Sequence, residues 1–285
     1  MLTIVIVNWK TCEHLRRCLS SLKTHGLGEE MQVVVVDNAS GDGSVEMVRD
    51  EFPSVRLIAL DRNVGYAEGN NRGFEAATGE FVLTLNPDVE FFDDSLRIAV
   101  DEMRRCADVG AMGIRLVDPD GATTQASLRS FPRPRAIVPE MLGLAKLLPG
   151  VFGQYRMRVF DYGKSQEVEQ PMGTFVLYRR AVLDKVGVMD EQFPIFFNEV
   201  DLLQRIANAG WKIWYCAEAR LKHHGGASTR QVRKPMIWES HRSLVRYYRK
   251  WYYRWWNAPL FWLFAGLVYL GAFVRARGLH AGFRP

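Results

Sequence analysis

Short apolar runs alternate with helical patterns over roughly the first 115 residues of the chain. The runs include TIVIVNW at residues 3–9, QVVVVD at 32–37 and FVLTLN at 81–86. Unbroken Val, Ile and Leu is typical of strands that are buried on both faces, and intervening helices connect such strands in parallel. The pattern therefore predicts an α/β fold with a mainly parallel central sheet flanked by helices.

The periodic pattern weakens in the middle of the chain, where Pro, Arg and Gly are scattered. There we expect loops and short helices that lie over the sheet edge and meet a second substrate. Order returns with a strand in TFVLYRR at 174–180 and a helix in FFNEVDLLQRIANAG at 196–210. We predict one domain over residues 1–228, with halves at 1–117 and 118–228.

The segment 229–285 differs in composition from the rest. It holds eleven of the 37 Lys and Arg residues but only one of the 32 acids, so the tail is strongly basic. Within it, residues 255–274 form an uncharged apolar run, about long enough to cross a bilayer as a helix, with Arg on both sides. We predict a membrane-associating tail. Its apolar run crosses the membrane or inserts as a hairpin, lies in the interface, or is a buried helix of a soluble oligomer.

Other features narrow the class of protein. Lipid headgroups suit the basic tail better than nucleic acid does, because the Trp-rich tail continues into an apolar run rather than a solvated basic stripe. The four cysteines show no Cys-x-x-Cys spacing or zinc pattern, which favours a reduced cytosolic setting. The N-terminus, MLTIVIVNWK, has no basic leader region and is predicted to be a first strand rather than a signal peptide.

The strand FVLTL ends in Asn86, Pro87 and Asp88, the first candidate for chemistry. Pro87 cannot donate to a strand ladder and so marks the end of regular pairing. A carboxylate at a strand end can hold Mg²⁺ or Mn²⁺, which in turn binds a diphosphate. Asn-Pro-Asp is also ordinary turn chemistry ahead of a helix that Asp93 or Asp94 would cap, and the sequence leaves both interpretations open.

A second strand ends in Asp37 and Asn38 within DNASGDGS. The carboxylate suits a base N–H and the small residues admit a ribose, although an Asx turn leading into a helix has the same composition. The next stretch, RNVGYAEGNNRGF, has glycines that permit close backbone approach, at a spacing that matches neither a Walker loop nor a dinucleotide fingerprint. Because parallel strands end at one edge of a sheet, we expect Asp37, Asn38 and Asp88 to share a crevice.

Acids and histidines near the end of the domain form the third candidate. Glu199 and Asp201 open a helix in FFNEVDLLQR, where acids commonly stabilise the helix dipole. Glu199 could instead reach the crevice as a general base, with Asp201 or Arg205 fixing the helix. His223 and His224 precede a Gly-Gly turn, and either could be a metal or phosphate ligand or simply a surface residue.

Together these segments resemble family 2 glycosyltransferases of the GT-A fold, most closely the bacterial rhamnosyltransferase-like branch. The resemblance covers residues 2–228 and rests on the order and separations of TIVIVNW, VVVVDNASGDGS, RNVGYAEGNNRGF, LNPDV, GTFVLYRRAVLDKVGVMDEQF, FFNEVDLLQRIANAGW and HHGGAS. It implies a nucleotide-diphospho-sugar transferase fold. The first half would bind the nucleotide, the second would hold the acceptor and the catalytic residues, and a C-terminal hydrophobic helical tail would follow.

The resemblance also implies roles for single residues. Asp37 would accept a hydrogen bond from the nucleobase, and other residues would line the nucleotide pocket. The nucleotide-binding set is Asn8, Asp37, Asn38, Asn63, Gly65, Asn70 and Asn86. Asp88 would be the metal-binding acid of the family's Asp-x-Asp motif, with His223 or His224 as a further metal ligand.

The family's Glu-Asp base motif corresponds to Asn198 and Glu199 in this chain. Because the second position of that motif holds the base, Glu199 inherits the role, and Asp201 completes the catalytic set. Two positions depart from the family pattern. Asn86 stands where the Asp-x-Asp motif begins, and Asn198 stands where the base motif begins.

The implied activity is inverting transfer of a sugar from a nucleoside diphosphate sugar, dTDP-rhamnose or a UDP-sugar, to a lipid-linked saccharide acceptor. The implied cofactor is a divalent cation, Mn²⁺ or Mg²⁺. We expect this reaction in cell-envelope polysaccharide synthesis at the cytoplasmic face of the bacterial inner membrane, with the chain peripheral or anchored by its tail and no nucleic-acid partner. The alternative, motivated by Asn86 and Asn198, is a catalytically inactive relative that holds nucleotide or lipid and serves assembly.

Overall fold

The computed structural model describes residues 1–124, 127–141, 144–153, 155–157, 160–225 and 232–278, which form eleven strands and eleven α-helices. The strands are β1 (Leu2–Asn8), β2 (Met31–Asp37), β3 (Arg56–Ala59), β4 (Phe81–Leu85), β5 (Val89–Glu90), β6 (Val109–Val117), β7 (Leu128–Arg129), β8 (Gln166–Glu167), β9 (Gln170–Pro171), β10 (Phe175–Arg179) and β11 (Lys212–His223). The helices are α1 (Cys12–His25), α2 (Ser44–Glu51), α3 (Tyr66–Ala76), α4 (Ser95–Arg105), α5 (Pro134–Met141), α6 (Leu144–Leu147), α7 (Pro149–Phe152), α8 (Arg180–Val186), α9 (Asn198–Asn208), α10 (Arg233–Trp251) and α11 (Ala258–Ala276).

Nine of these strands form one sheet in the order β3-β2-β1-β4-β10-β6-β11-β5, with β8 also paired to β11. The first four strands in this order run parallel to one another, and β6 runs parallel to β11. Between these two groups, β10 lies antiparallel to both β4 and β6. The predicted mainly parallel sheet is confirmed, with an antiparallel strand in its middle that the apolar pattern did not distinguish.

Both faces of the sheet are covered, because successive residues of its central strands are apolar. Leu2, Ile4 and Ile6 of β1 point into a core shared with α1, α2 and α4. Val5 points into the opposite core, which is formed with α3, α8, α9, α10 and α11. Side chains alternate along a strand, so a continuous apolar run supplies both layers.

The strand ends bring the predicted site residues to one edge of the sheet. Asn8 pairs with Asp37 at the ends of β1 and β2, and residues 86–88 follow β4. The short strand β5 then runs antiparallel to the end of β11, where His223 lies opposite Val89. This pairing joins the turn after β4 to the end of β11, as expected for a ligand crevice at the carboxyl ends of parallel strands.

The two tail helices pack on the body of the protein and on each other. α10 contributes Leu244, Val245 and Tyr247 to the core that also holds α3 and α9. Tyr248 stacks on Phe264 of α11, with ring centroids 4.2 Å apart. The predicted boundary between residues 228 and 229 lies outside the described residues, so the division of the chain at that point stays a prediction.

One side of α11 is covered by protein and the other is open. Ala265, Val268 and Ala272 are buried. The exposed apolar side chains of this helix include Leu260, Leu263, Leu267, Leu270 and Phe273. Within the described residues one segment, Trp255–Ala276, is long and apolar enough to cross a membrane. The predicted C-terminal hydrophobic helix is therefore confirmed.

Close packing of α3 on β1 depends on two glycines. A Cβ atom on Gly73 would lie 2.1 Å from Val5 Cγ1, and one on Gly69 would lie 2.9 Å from Val7 Cγ1. At these two positions, the close approach predicted for the stretch RNVGYAEGNNRGF is made to a neighbouring strand.

We expect Gly73→Ala to lower the free energy of unfolding by about 1–3 kcal/mol, because the added methyl group overpacks the contact between α3 and β1. Denaturant unfolding would measure the change. The matched control is Glu75→Ala, an exposed position in the same helix, where we expect a change within about 0.5 kcal/mol. Equal stability of the two variants would contradict the packing role of Gly73.

Candidate active site

A buried polar cluster joins the ends of β1 and β2. Asn8 Nδ2 lies 2.9 Å from Asp37 Oδ2 and 2.9 Å from Ser44 Oγ. The other carboxylate oxygen of Asp37 accepts a hydrogen bond from the backbone N–H of Ser40 at 2.9 Å. Both oxygens of Asp37 are therefore held, and a nucleobase N–H would have to share one of them. Asn8 acts within the protein as the partner that fixes Asp37.

Asn38 holds the loop that leads into α3. Its Nδ2 donates to the carbonyl of Gly65 at 2.9 Å, and its Oδ1 accepts from the backbone N–H of Val64 at 2.8 Å. Asn63 is exposed, and its Oδ1 accepts from the N–H of Gly65 at 2.9 Å. Gly65 has φ +93°, and a Cβ atom there would lie 2.9 Å from the carbonyl oxygen of Pro194. These contacts shape the loop, and a direct nucleotide contact by any of them stays a prediction.

Asn70 and Asn86 are connected through Tyr66. Asn70 donates from Nδ2 to the Tyr66 carbonyl at 2.8 Å, while its Oδ1 is buried with no hydrogen-bond partner among the described residues. The Tyr66 hydroxyl donates to Asn86 Oδ1 at 3.1 Å. Asn86 Oδ1 is thus already engaged within the protein, whereas Asn70 Oδ1 is an unused acceptor.

Asp88 and His223 lie side by side. His223 Nε2 is 3.5 Å from Asp88 Oδ1, and both side chains are largely buried. His224 differs, because its Nε2 is 2.8 Å from Glu90 Oε1. Of the two histidines predicted as metal ligands, the geometry favours His223.

The chemistry of this pair fits a divalent cation that is shared with a substrate. A carboxylate oxygen and an imidazole nitrogen are both ligands of such cations, and a diphosphate would supply further oxygens. Among the described residues, no group of three or more His, Cys, Asp and Glu side chains could hold a metal by itself. The residues therefore suit a cation that arrives with, or is completed by, a phosphorylated ligand.

Glu199 lies at the first turn of α9, against the backbone of Gly173. A Cβ atom on Gly173 would be 3.2 Å from Glu199 Cδ, so glycine leaves room for the carboxylate. The Gly173 carbonyl oxygen lies 3.5 Å from the Tyr66 hydroxyl, whose shorter hydrogen bond is to Asn86. Burial raises the pKa of Glu199, and the charge of Arg129 opposes that rise. A desolvated carboxylate takes up a proton more readily than a solvated one, as a general base requires.

The entry into α9 is held in an uncommon backbone conformation. Phe197 has φ +69°, in the left-handed region that residues with a side chain seldom adopt. Its ring lies 5.5 Å from that of Tyr247 in α10, measured between centroids. The Asn198 side chain accepts from the N–H of Glu199 at 2.8 Å. The position of Glu199 is thus set by a strained turn that packs on the tail.

The carboxylate of Asp201 is engaged by three neighbouring side chains, and its predicted place in the catalytic set stays a prediction. Its carboxylate is fully buried and receives hydrogen bonds from Arg205 Nε at 3.0 Å, Trp251 Nε1 at 3.0 Å and Lys250 Nζ at 2.7 Å. All three donors belong to α9 or α10. Asp201 therefore fixes α9 to α10, which is the alternative that the sequence also offered, and Arg205 shares that function.

Sequence reasoning missed several residues that surround Glu199. Tyr66 and Gly173 lie within quoted motifs, but nothing in their local pattern indicated a contact with Asn86 or Glu199. Arg129 lies in the weakly patterned middle segment, and Trp251 lies in the tail, whose composition does not indicate a contact with Asp201. Their importance comes from contacts between residues far apart in the sequence.

The chain belongs to Glycosyl transferase family 2, whose sequence profile matches residues 3–187. An N-acetylglucosaminyl-diphospho-decaprenol L-rhamnosyltransferase of Mycobacterium tuberculosis is 27% identical over 97% of this chain and 93% of its own length. A low-salt glycan biosynthesis hexosyltransferase of Haloferax volcanii is 24% identical over 75% of this chain and 64% of its own length. The predicted resemblance is confirmed.

Solved structures agree on the fold. The mannosyltransferase PcManGT of Pyrobaculum calidifontis, in complex with GDP-Man and Mn²⁺, gives a TM-score of 0.59 at 17% identity and covers 98% of this chain and 76% of that one. GalNAc-T7 with UDP, GalNAc and Mn²⁺ gives 0.59 at 14% identity, over 78% of this chain and 43% of that one. The predicted GT-A fold is confirmed, and these low identities show the fold alone.

We expect the free energy of unfolding of Glu199→Gln to rise above that of the wild type as pH increases. A carboxyl whose folded pKa is raised stabilises the native state below its unfolded pKa, and that contribution is lost as pH rises through the folded pKa. The two proteins should therefore unfold alike near pH 4, and the variant should be the more stable near pH 8. Chemical denaturation across this pH range would measure the difference.

The control for this experiment is Glu218→Gln, where the expected sign is opposite. A hydrogen bond from Ser165 lowers the pKa of Glu218, so its contribution is present above the unfolded pKa and is lost as pH falls. The effect should be small because Glu218 is exposed. A stability difference for Glu199→Gln that does not change with pH would show that Glu199 is not desolvated in the native state.

Proposed function

We propose that this chain is an inverting glycosyltransferase that moves a sugar from a nucleoside diphosphate sugar to a lipid-linked saccharide acceptor. One observation carries the proposal. The Tyr66 hydroxyl lies 3.1 Å from Asn86 Oδ1, two residues before Asp88 of the Asp88–His223 pair, and 3.5 Å from the carbonyl of Gly173, which borders Glu199. Burial, then the charge of Glu199 and then that of Asp88, raises the pKa of Tyr66. A base and a site for a leaving diphosphate are thus close together.

Glu199 acts as the general base in this proposal. It takes the proton from an acceptor hydroxyl as that oxygen forms a bond to the anomeric carbon. The bond from this carbon to the diphosphate oxygen breaks on the opposite face, so the configuration inverts and the nucleoside diphosphate leaves. Asp201 holds α9 and, through it, the position of Glu199.

Asp88 and His223 would hold the divalent cation, Mn²⁺ or Mg²⁺. When bound, it would neutralise the negative charge that develops on the leaving diphosphate. Support comes from the pairing of these two side chains and from the Mn²⁺ complexes of the mannosyltransferase and of GalNAc-T7. Asn86 would serve the nucleotide rather than the cation, and its side-chain oxygen, which accepts from Tyr66, keeps a second lone pair for a ligand.

The nucleotide would bind at the ends of β1 and β2. Asp37 would accept from the base, and the unused Oδ1 of Asn70 is the acceptor best suited to a ligand hydroxyl. Asn8, Asn38 and the residues from Asn63 to Gly65 would keep the shape of this pocket. The name of the mycobacterial relative supports rhamnose as the sugar, so dTDP-rhamnose is the proposed donor, with a UDP-sugar as the second option.

The acceptor would be a saccharide on a lipid diphosphate, used in cell-envelope glycan synthesis. The mycobacterial relative is named for such an acceptor, and an undecaprenyl-phosphate 4-deoxy-4-formamido-L-arabinose transferase of Aeromonas hydrophila is 35% identical over 22% of this chain and 21% of its own length. An acceptor of this kind lies in a membrane, so the enzyme has to work at a membrane surface.

The outer side of α11 would provide the membrane contact, at the cytoplasmic face of the inner membrane. Its leucines are exposed, and Arg254 precedes the helix while Arg275 and Arg277 end it. Cations at the ends of an apolar face suit anionic headgroups. Because the opposite side of α11 packs on α10, a helix that lies in the interface keeps these contacts. We therefore favour peripheral attachment over crossing.

We expect UDP, dTDP or GDP to raise the melting temperature more with Mn²⁺ than without it, and Asp88→Ala to remove the difference. His223→Ala should act like Asp88→Ala. The matched control is His224→Ala, beside Glu90, which should keep the effect of Mn²⁺ on the melting temperature.

Glu199→Gln should still bind nucleotide but lose about 10²- to 10⁴-fold in transfer rate. Thermal unfolding and a transfer assay would measure these effects. Nucleotide binding without turnover, in wild type and Glu199→Gln alike, would instead support the inactive relative.

We expect Leu263→Gln, Leu267→Gln and Leu270→Gln together to lower binding to vesicles of anionic and zwitterionic lipids by about 100-fold or more, since each leucine contributes roughly 1.5–3 kcal/mol when buried. Co-sedimentation would measure this. The control is Ile98→Gln, an exposed apolar position on α4, which packs on the other face of the sheet. Unchanged vesicle binding by the triple variant would refute the attachment.

A further inference from the structure

Arg129, in the acceptor half, has no ion pair among the described residues, unlike Arg133 and Arg156. Arg133 Nη1 donates to both oxygens of Glu169, at 2.6 and 2.7 Å, and Arg156 pairs with Glu140. Arg129 Nη1 donates instead to the Tyr155 hydroxyl at 3.3 Å. No carboxylate of the described residues lies within ion-pair distance of Arg129. Within the part of the chain that the structure describes, it is a half-buried cation whose charge no direct contact neutralises.

Arg129 has an unsatisfied polar neighbour across the β7–β9 ladder. It pairs with Gln170, and residues paired directly across an antiparallel ladder project from the same face. Gln170 is 8% exposed, and its Oε1 has no hydrogen-bond partner among the described residues. A buried acceptor without a partner is destabilising, unless a ligand supplies the donor.

This polar pair is close to the reacting groups of the proposed transfer. Three residues after Gln170 the chain reaches Gly173, where a Cβ atom would lie 3.2 Å from Glu199 Cδ. Arg129 itself acts electrostatically on Glu199. The pair lies on β7 and β9, whereas Asp88 and His223 lie at the ends of β4 and β11. A ligand at Arg129 would therefore approach Glu199 from the acceptor half.

The chemistry of the pair identifies a class of ligand. A guanidinium donates in a planar fork that matches phosphate oxygens, and an uncompensated one in a partly desolvated place favours an anion. The Arg129 guanidinium lies 5.6 Å from the centre of the Tyr155 ring, which holds it over an aromatic face. The Gln170 amide oxygen suits a hydroxyl donor. Phosphate and sugar hydroxyl together describe a saccharide phosphate.

We propose that Arg129 binds the phosphate of the acceptor and Gln170 binds a hydroxyl of the acceptor sugar, which brings the reacting hydroxyl to Glu199. This inference rests on the proposed function and adds the residues that recognise the acceptor. The donor also carries phosphates, but Asp88 and His223 already provide a site for them. The experiment therefore has to separate acceptor phosphate from donor phosphate.

The test uses two acceptors with the same saccharide, one on a short alkyl diphosphate and one on a neutral alkyl chain. Wild type should prefer the diphosphate acceptor in kcat/KM, and Arg129→Gln should lose about 10- to 100-fold on that acceptor alone. Arg129→Lys should recover part of the loss, and the KM of the donor should not change. Gln170→Leu should weaken both acceptors equally. The matched control is Arg133→Gln, which removes a paired arginine and should keep the preference.

Two arms keep the result interpretable. Calorimetry measures binding of the saccharide alkyl diphosphate without donor, so it tests Arg129 even if no transfer occurs. If the wild type transfers no sugar from any donor, that result counts against the proposed function alone. Nucleotide-induced thermal stabilisation checks that each variant is folded.

Four outcomes would overturn the inference. They are unchanged acceptor binding by Arg129→Gln, an equal loss on both acceptors, a rise in donor KM only, and a shifted pH profile without a change in acceptor preference. The last would mean that Arg129 acts only through its charge on Glu199 and not by binding the acceptor.

Discussion

The geometry of the candidate site depends on the hydrogen bonds and ion pairs of one buried carboxylate, that of Asp201. A charge without exposure to solvent requires partners, and removal of one partner from such a pair typically costs about 3–5 kcal/mol. Its partners are Arg205 in the same helix and Lys250 and Trp251 at the end of α10. Two residues earlier in α9 stands Glu199. Asp201, whose buried carboxylate needs these partners, and Glu199, whose carboxylate would react, are thus in the same helix.

Because α10 holds α9 in place, the tail supports the candidate active site as well as being a candidate membrane element. Tyr247 of α10 donates to Gln204 Oε1 at 3.1 Å, and its ring packs near Phe197, the residue with positive φ that opens α9. A strained turn persists only where its surroundings determine it. Here the surroundings come from a helix some fifty residues later in the chain, so removal of the tail would disturb Glu199 directly.

The apolar runs were sufficient to predict the parallel sheet and the edge where the polar strand ends meet, because strand period and strand ends are local properties. Contacts between distant elements were not predictable in this way. Glu199 and Asp201 are two positions apart, so they project about 200° apart around a helix, and only the place of α10 decides which one is enclosed. His223 and His224 are adjacent and turn to Asp88 and Glu90 respectively, a choice that the pairing of β5 with β11 makes.

The charge of Arg129 also bears on how Glu199 would be activated as a base. Burial raises the pKa of Glu199, while the uncompensated charge of Arg129 holds it down. If an acceptor phosphate occupies Arg129, that cation is neutralised and its influence on Glu199 weakens. The carboxylate would then become a stronger base only when the hydroxyl to be deprotonated is in place. Without acceptor, the base stays weaker, which would disfavour attack by water on the donor.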